Sequence, residues 1–281
     1  LRMNLVAGQM DNEPGLITLD PSASIMSYRA LLDAATLAER VGQPVIAKGW
    51  RSEAATLQTA WDKAFEFVFS QAPETYTSSL WPSGIVTASH QGLTQGLERR
   101  WNESHEANGA LRQPVTPYLN LAETHQWLFL GESDRVWKTL EWFWQHQASP
   151  GLYTWWGDNN KVGDVPKSLS QWQRYRGWIN PPHVTPHYWS AAQMLLLQLD
   201  MLTYIDRSKS EPTLVIGAGI PKTWVNQPMS VKGLQIGGNS VNWTWDGKQM
   251  NVQMEGSKMN VQLGSAFPSN TPVNVVMSQK T

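Results

Sequence analysis

PSASIMSYRALLDAATLAERVGQPVIAKGWRSEAATLQTAWDKAFEFVFS, residues 21–70, decides the fold. From Ser24 to Gly42 the apolar side chains Ile25, Tyr28, Leu31, Leu32, Ala35 and Ala38 recur at three- and four-residue spacing behind a Pro21-Ser22 cap signal. That period places them on one helical face. Pro44 opens a second helix whose face is Ile46, Trp50, Ala54, Leu57, Trp61, Ala64 and Val68, running to about Ser70. Two helices joined by so short a turn form an antiparallel hairpin.

The pattern continues along the chain. Thr87–Asn102, Tyr118–Leu130, Ser133–His146 and His187–Ile205 read as helices of similar length, giving six helices and three hairpins. After Glu211-Pro212 the period changes from helical to alternating. Leu214–Ile216, Met229–Ile236, Val241–Trp245, Met250–Met254, Met259–Leu263 and Val273–Met277 read as strands, with Asp246-Gly247 as a hairpin turn. The expected organisation is mainly α: an α/α-hairpin domain over residues 1–209, then a small antiparallel, sandwich-like β domain over residues 210–281. The segment between His146 and His187 fits neither period. A loop of about forty residues in a compact domain is uncommon and is usually functional.

Composition bounds the function. The 281 residues carry 22 basic and 23 acidic side chains, so the formal net charge is −1. Such a balance lacks the basic surplus of nucleic-acid binders and the high net charge of disordered chains. No apolar run approaches the roughly 20 residues that span a bilayer, so no membrane segment is expected. With no cysteine, disulfides and thiolate metal sites are excluded. The chain starts at Leu1 without a charged-then-apolar leader, and reads as a piece of something longer. Its 16 tryptophans outnumber 7 tyrosines and 6 phenylalanines together. Indole rings offer flat apolar faces on which a sugar ring stacks, while its hydroxyls need polar partners. Trp155, Trp156 and Trp178 lie in the Gly/Pro-rich loop and are the stacking candidates, whereas Trp137, Trp142 and Trp144 on a helix are expected to pack.

Repeated helical hairpins, Trp-rich loops and a terminal β domain resemble the six-hairpin, (α/α)6-barrel glycosidases. Three strings carry the resemblance further. Gly8-Gln9-Met10-Asp11-Asn12-Glu13-Pro14 is similar to the Gly-Met/Trp-Asp-Asn-Ser-Pro loop of glycoside hydrolase family 63 and the related family 37 trehalases. Trp81-Pro82-Ser83-Gly84 resembles a loop near the barrel mouth, and HVTPHYWSAAQMLLL, residues 183–197, the start of the last barrel helix. The resemblance implies that the six helices are the C-terminal half of a twelve-helix barrel, completed by an upstream half or a second chain.

It also implies a site. Asp11 takes the place of the family's general acid, with Glu13 as fallback. The family's base is a Glu in the loop before the last helix, and here Gly151-Leu152-Tyr153-Thr154-Trp155-Trp156-Gly157-Asp158 carries no Glu. Asp158 is the best surviving carboxylate and Asp164 the second. Inverting hydrolysis uses two such groups roughly 6.5–9.5 Å apart, one protonated to release the leaving oxygen and one ionised to activate water. Trp81, Trp155, Trp156, Arg176, Trp178 and His187 are the expected substrate contacts, with Arg174 beside them.

The expected function is an inverting glycoside hydrolase acting on an α-linked glucoside or oligosaccharide, without cofactor. Two alternatives stay open. One is a carbohydrate-binding or structural module that has lost its catalytic carboxylate. The other is a phosphorylase or polysaccharide lyase on the same toroid, for which Tyr188, His187 and Arg176 would be the uronate constellation. His183 and His187 have zinc-like i, i+4 spacing, but Pro186 lies between them and no carboxylate accompanies them, so no metal site is expected. Glu123 and His125, two apart on a helix, point to different faces.

Overall fold

The computed structural model describes residues 21–65, 78–112, 115–148, 151–157, 186–207, 209 and 211–278. The chain divides into two compact units, Leu1–His105 and Glu106–Thr281. Among the described residues there are six helices followed by two small sheets, an arrangement consistent with part of an α/α toroid plus a β domain.

In the first unit, α1 (Pro21–Arg40) and α2 (Pro44–Phe65) form the hairpin that the 21–70 pattern predicts. Gly42, at φ +75°, ends α1 in the left-handed conformation that a Cβ disfavours. Its neighbour Gln43 donates its backbone N–H to the Ala38 carbonyl, closing the turn. Ala35, Ala38 and Ala47 pack together where the helices meet, and their small side chains allow close approach. Arg51 bridges to Glu39 across the hairpin at 2.7 Å. The Gln58 amide donates to the Ile85 carbonyl at 2.6 Å, fixing the segment that carries Trp81 beside α2. α3 spans Gln91–Ser104, starting four residues later than its period suggests. The reason is local: His90 Nδ1 accepts the Leu93 N–H and caps the helix there.

The second unit starts with α4 (Pro117–Phe129) and α5 (Ser133–Gln145), an antiparallel pair turned at Gly131. α4 is buried almost all round, as an inner helix must be, while α5 buries only Val136, Thr139, Leu140 and Phe143. α6 (Tyr188–Leu202) lies against α4. The two run in the same direction: Tyr118 meets Trp189 at their starts, His125 meets Gln193 midway, and Phe129 stacks on Tyr204 past the end of α6.

α6 ends at Leu202, short of the expected Ile205, because Thr203–Asp206 pairs as strand β1 with β2 (Thr213–Ile216). The sheet thus begins ahead of residue 209. The remaining strands are β3 (Met229–Ile236), β4 (Asn239–Trp245), β5 (Met250–Glu255), β6 (Asn260–Leu263) and β7 (Val273–Ser278). They form sheets of order β1-β2-β6 and β3-β4-β5-β7. The expected all-antiparallel domain is corrected here, since β2–β6 and β5–β7 pair in parallel. Periodicity fixes a strand's faces but not its partner, and both parallel pairs are joined through long connections rather than hairpins. Leu214 and Ile216 from one sheet and Val241, Trp243, Trp245, Met250, Val252 and Met254 from the other share one core, which makes the domain a sandwich. Among the described residues no helix is long and apolar enough to cross a membrane.

Much of the tryptophan excess is structural. The Trp137 indole donates to the Gly219 carbonyl at 2.7 Å, and its ring meets Trp144 and Trp224 edge-on. This ties α5 to the β domain. Trp243 donates to Thr203 Oγ1 at 2.9 Å and Trp245 to the Val225 carbonyl at 2.8 Å, so each buried indole N–H there has a partner.

Candidate functional site

Asp11, Glu13, Asp158, Asp164, Arg174, Arg176, Trp178 and His183 lie outside the described residues. Trp81, in the first unit, is half-buried and precedes Pro82 through a cis peptide bond. The rest of the expected site falls in the second unit, where the end of α5, the turn residues 147–148 and 151–157 and the start of α6 converge.

The turn is held from both ends. The Gln147 amide donates to the Trp144 carbonyl at 2.9 Å, and its carbonyl oxygen accepts the Tyr153 N–H at 2.8 Å. Tyr153 sits at φ +51°, a conformation that costs a non-glycine residue roughly 1 kcal/mol or more and survives only where the surroundings impose it. The result is an aromatic ring displayed to solvent at 63% exposure. Trp155 and Trp156, expected to stack on a sugar, are buried instead, at 3% and 8% exposure. Trp155 donates its indole N–H to the Phe143 carbonyl at 2.9 Å and packs edge-on against that ring. A residue beside Gly and Pro in sequence is not thereby outside the core, because the turn folds back onto α5. The indole N–H of Trp156 has no hydrogen-bond partner among the described residues. Trp144, Tyr153 and Trp155 line one side of a hollow of about 650 Å³, and Ala191, Met194 and Gln198 of α6 line the other.

At the start of α6, the His187 backbone N–H donates to the Trp155 carbonyl at 2.9 Å, docking the helix on the turn. Ser190 Oγ lies 3.3 Å from the Trp156 carbonyl oxygen and 2.8 Å from His187 Nδ1. The hydroxyl has one proton: directed to Trp156 it leaves Nδ1–H to donate to Ser190 and Nε2 to accept, and directed to Nδ1 it leaves Nε2–H as a donor. Burial pushes the His187 pKa down, which holds the ring neutral at neutral pH. Its face packs on Gly157, where an added Cβ would lie 3.3 Å from Cδ2.

Beside His187 stand two displayed aromatics, Tyr188 and Trp189, 77% and 60% exposed. The Trp189 ring lies 5.6 Å from His187 and meets Tyr118, at the start of α4, edge-on at 5.7 Å. An aromatic face bordered by a neutral imidazole is suited to a ligand with one apolar face and a rim of hydroxyls. Sequence reading named His187 but not Trp189 or Tyr118. The Tyr-Trp-Ser-Ala string held the signal, and only the parallel pairing of α4 and α6 brings Tyr118 to it.

α6 is positioned along the face it turns to α4. His125, fully buried, accepts from the Gln193 amide through Nδ1 and donates from Nε2 to Asp200 Oδ2, both at 2.9 Å. Desolvation lowers the His125 pKa against the opposing pull of Asp200, so the ring is neutral. Gln193 and Asp200 are two helical turns apart on α6, and one imidazole from α4 clamps both. Among the described residues no cluster of three or more His, Asp or Glu side chains has metal-binding proximity.

No family model matches the chain, and no curated protein does. Among solved structures, a GH78 family rhamnosidase of Bacillus sp. GL1 has the same fold with a TM-score of 0.56 at 12% identity. The likeness covers 100% of this chain and 30% of that one, so this chain spans under a third of its neighbour's length. The neighbour's family is neither 63 nor 37, to which the sequence motifs are similar.

Proposed function

We propose that this chain is the C-terminal part of a glycoside hydrolase, with Tyr118, His187, Tyr188 and Trp189 forming a sugar subsite at the paired helix starts. The observation that carries this reading is Trp189, well exposed yet braced by Tyr118 and flanked by a neutral His187. Stacking on the indole would orient the pyranose, and His187 Nε2 would hydrogen-bond a sugar hydroxyl, as acceptor or donor according to its tautomer. Cleavage proceeds by inversion, with Asp11 as general acid and Asp158 as general base. Asp158 directly follows Gly157, on which His187 packs, so the base is tethered to the subsite by sequence. An α-linked glucoside or oligosaccharide is the substrate class, and the name of the structural neighbour adds a rhamnoside to the substrates worth assaying.

Titration of tryptophan fluorescence with oligosaccharides, paired with release of aryl glucoside and aryl rhamnoside by the complete enzyme, tests the reading. Asp11→Asn is expected to abolish release while binding persists, and unchanged release would remove Asp11 from the mechanism. A second reading, binding without catalysis, is favoured by the sequence Gly151–Asp158, which has no Glu where the resembled families carry their base. Binding with no release by the complete protein would establish it. The exposed stripe Leu195, Leu196 and Leu199 on α6 is the face that an upstream half-barrel or a second chain would cover.

A further inference from the structure

The outer face of the sheet β3-β4-β5-β7 is built from a different set of residues. Register places Ser230, Thr244, Asn251 and Asn274 in one row across the strands, and Asn242, Gln253 and Val276 in the next. The inner face beneath them is apolar: Val241, Trp243, Trp245, Met250, Val252 and Met254. These two rows are amides, hydroxyls and one valine, and the carboxylate of this face, Glu255, stands in the row beyond them with Gln235, Ser240 and Ser278.

A β-bulge shapes this face. The register slips between Val231 and Leu234, and Gly233 takes φ +76°. Its N–H, taken out of the ladder, donates to Asn242 Oδ1 at 2.7 Å. That bond fixes the Asn242 amide with its oxygen used and its NH2 available. Asn274 similarly donates to Asn251 Oδ1 at 3.2 Å, which leaves the Asn251 NH2. The extra residue of the bulge, Lys232, reaches the same face and forms no ion pair among the described residues.

Lys232, Asn242, Thr244, Asn251, Gln253 and Val276 line a shallow hollow of about 470 Å³. It holds a surplus of hydrogen-bond donors, one cation and no anion. Asn242 and Asn251 sit diagonally across β4 and β5, about 7–8 Å apart, so a glycan chain crossing the strands obliquely can meet both. We propose that this face is an accessory binding surface for a polysaccharide carrying carboxylate groups. Lys232 pairs with a uronate carboxylate, the amide NH2 groups of Asn242 and Asn251 donate to sugar oxygens, and Val276 takes the apolar edge of a ring. The surface does not depend on the subsite at the start of α6.

Affinity electrophoresis of the full chain through gels containing polygalacturonate tests it. Retardation is expected at low ionic strength and is lost at about 1 M salt, where the screening length falls to roughly 3 Å. Lys232→Gln should weaken retardation about tenfold, the loss of one hydrogen bond to a charged group, and Gln253→Ala, in the row of Asn242, by a smaller factor, the loss of one neutral hydrogen bond to a sugar oxygen. Both positions are exposed, so the variants fold, and unchanged far-ultraviolet circular dichroism verifies it. Trp189→Ala should leave retardation intact, which separates this surface from the proposed active site. No retardation by polygalacturonate, equal retardation by neutral dextran, or full retardation of the Lys232→Gln, Gln253→Ala double variant overturns the proposal.

Discussion

Replacing His125 by Leu is expected to destabilise the second unit by about 3 kcal/mol and to flatten its pH dependence. The magnitude follows from the contacts. The imidazole is fully buried and makes two 2.9 Å hydrogen bonds, to Gln193 and Asp200. Losing the bond to the carboxylate costs roughly 1.5–3 kcal/mol. Leaving the Gln193 amide, itself 5% exposed, without an acceptor costs a further 1–3 kcal/mol or so. The Asp200 side chain keeps 20% exposure, so water solvates its carboxylate, and the leucine recovers about 1 kcal/mol of apolar burial. The pH effect has a definite sign. The folded-state pKa of His125 is lowered, so the stability tied to its neutral form is complete above the unfolded value of about 6.5. It is lost as pH falls through that value, because the unfolded chain takes up the proton first. Urea unfolding followed by tryptophan fluorescence, on either side of about pH 6.5, measures both effects. A loss under about 1 kcal/mol, or a variant with the wild-type pH slope, would refute the account of α6 as clamped by this imidazole.

Trp189→Ala should weaken oligosaccharide binding about tenfold or more, as loss of a stacking face does, with far-ultraviolet circular dichroism unchanged because the side chain is largely exposed. Wild-type affinity would assign the subsite elsewhere. Phe143→Ala should cost about 3–5 kcal/mol, since the ring is fully buried and Trp155 leans on it; chemical denaturation measures the loss, and near-ultraviolet circular dichroism should lose the Trp155 signature. The Asp246 carboxyl is held below its ordinary pKa by the backbone N–H groups of Gln249 and Lys248. Its contribution to the β4–β5 turn is present above about pH 3.9 and disappears as pH falls through the lowered value. Asp246→Asn should therefore reduce the acid sensitivity of the β domain, read by thermal melts across the acidic range.

Helix α2 and strand β5 were legible as elements because each carries its apolar side chains at a single period, but the period did not decide burial along α2, where Ile46 and Trp50 are exposed while Ala54, Leu57 and Trp61 are buried. The Asp246-Gly247 turn was legible for the same local reason. β1 was not: Thr203–Ile205 continues the apolar run of α6, and what makes it a strand is the hydrogen-bonded ladder to Thr213–Ile216. The parallel partners of β2 and β5 were hidden because alternation is the same whichever way a neighbour runs. In the candidate site, His187 stood out by residue type. Tyr118 lies 71 positions before Trp189, and no local pattern announces that two helix starts share one end of the fold.

The sequence by itself determined which segments carry a helical period and which an alternating one, and that the chain combines a near-neutral charge balance with an excess of tryptophan. Tertiary structure alone decided which aromatic rings are displayed. Trp155 and Trp156 differ little from Trp189 as letters in a chain, yet the segment 151–157 folds the first two against α5 and α6 while the start of α6 leaves Trp189 outside. Burial is a property of neighbours brought from afar, here Phe143 and Ser190, and the same indole becomes core or binding face according to whether such neighbours reach it.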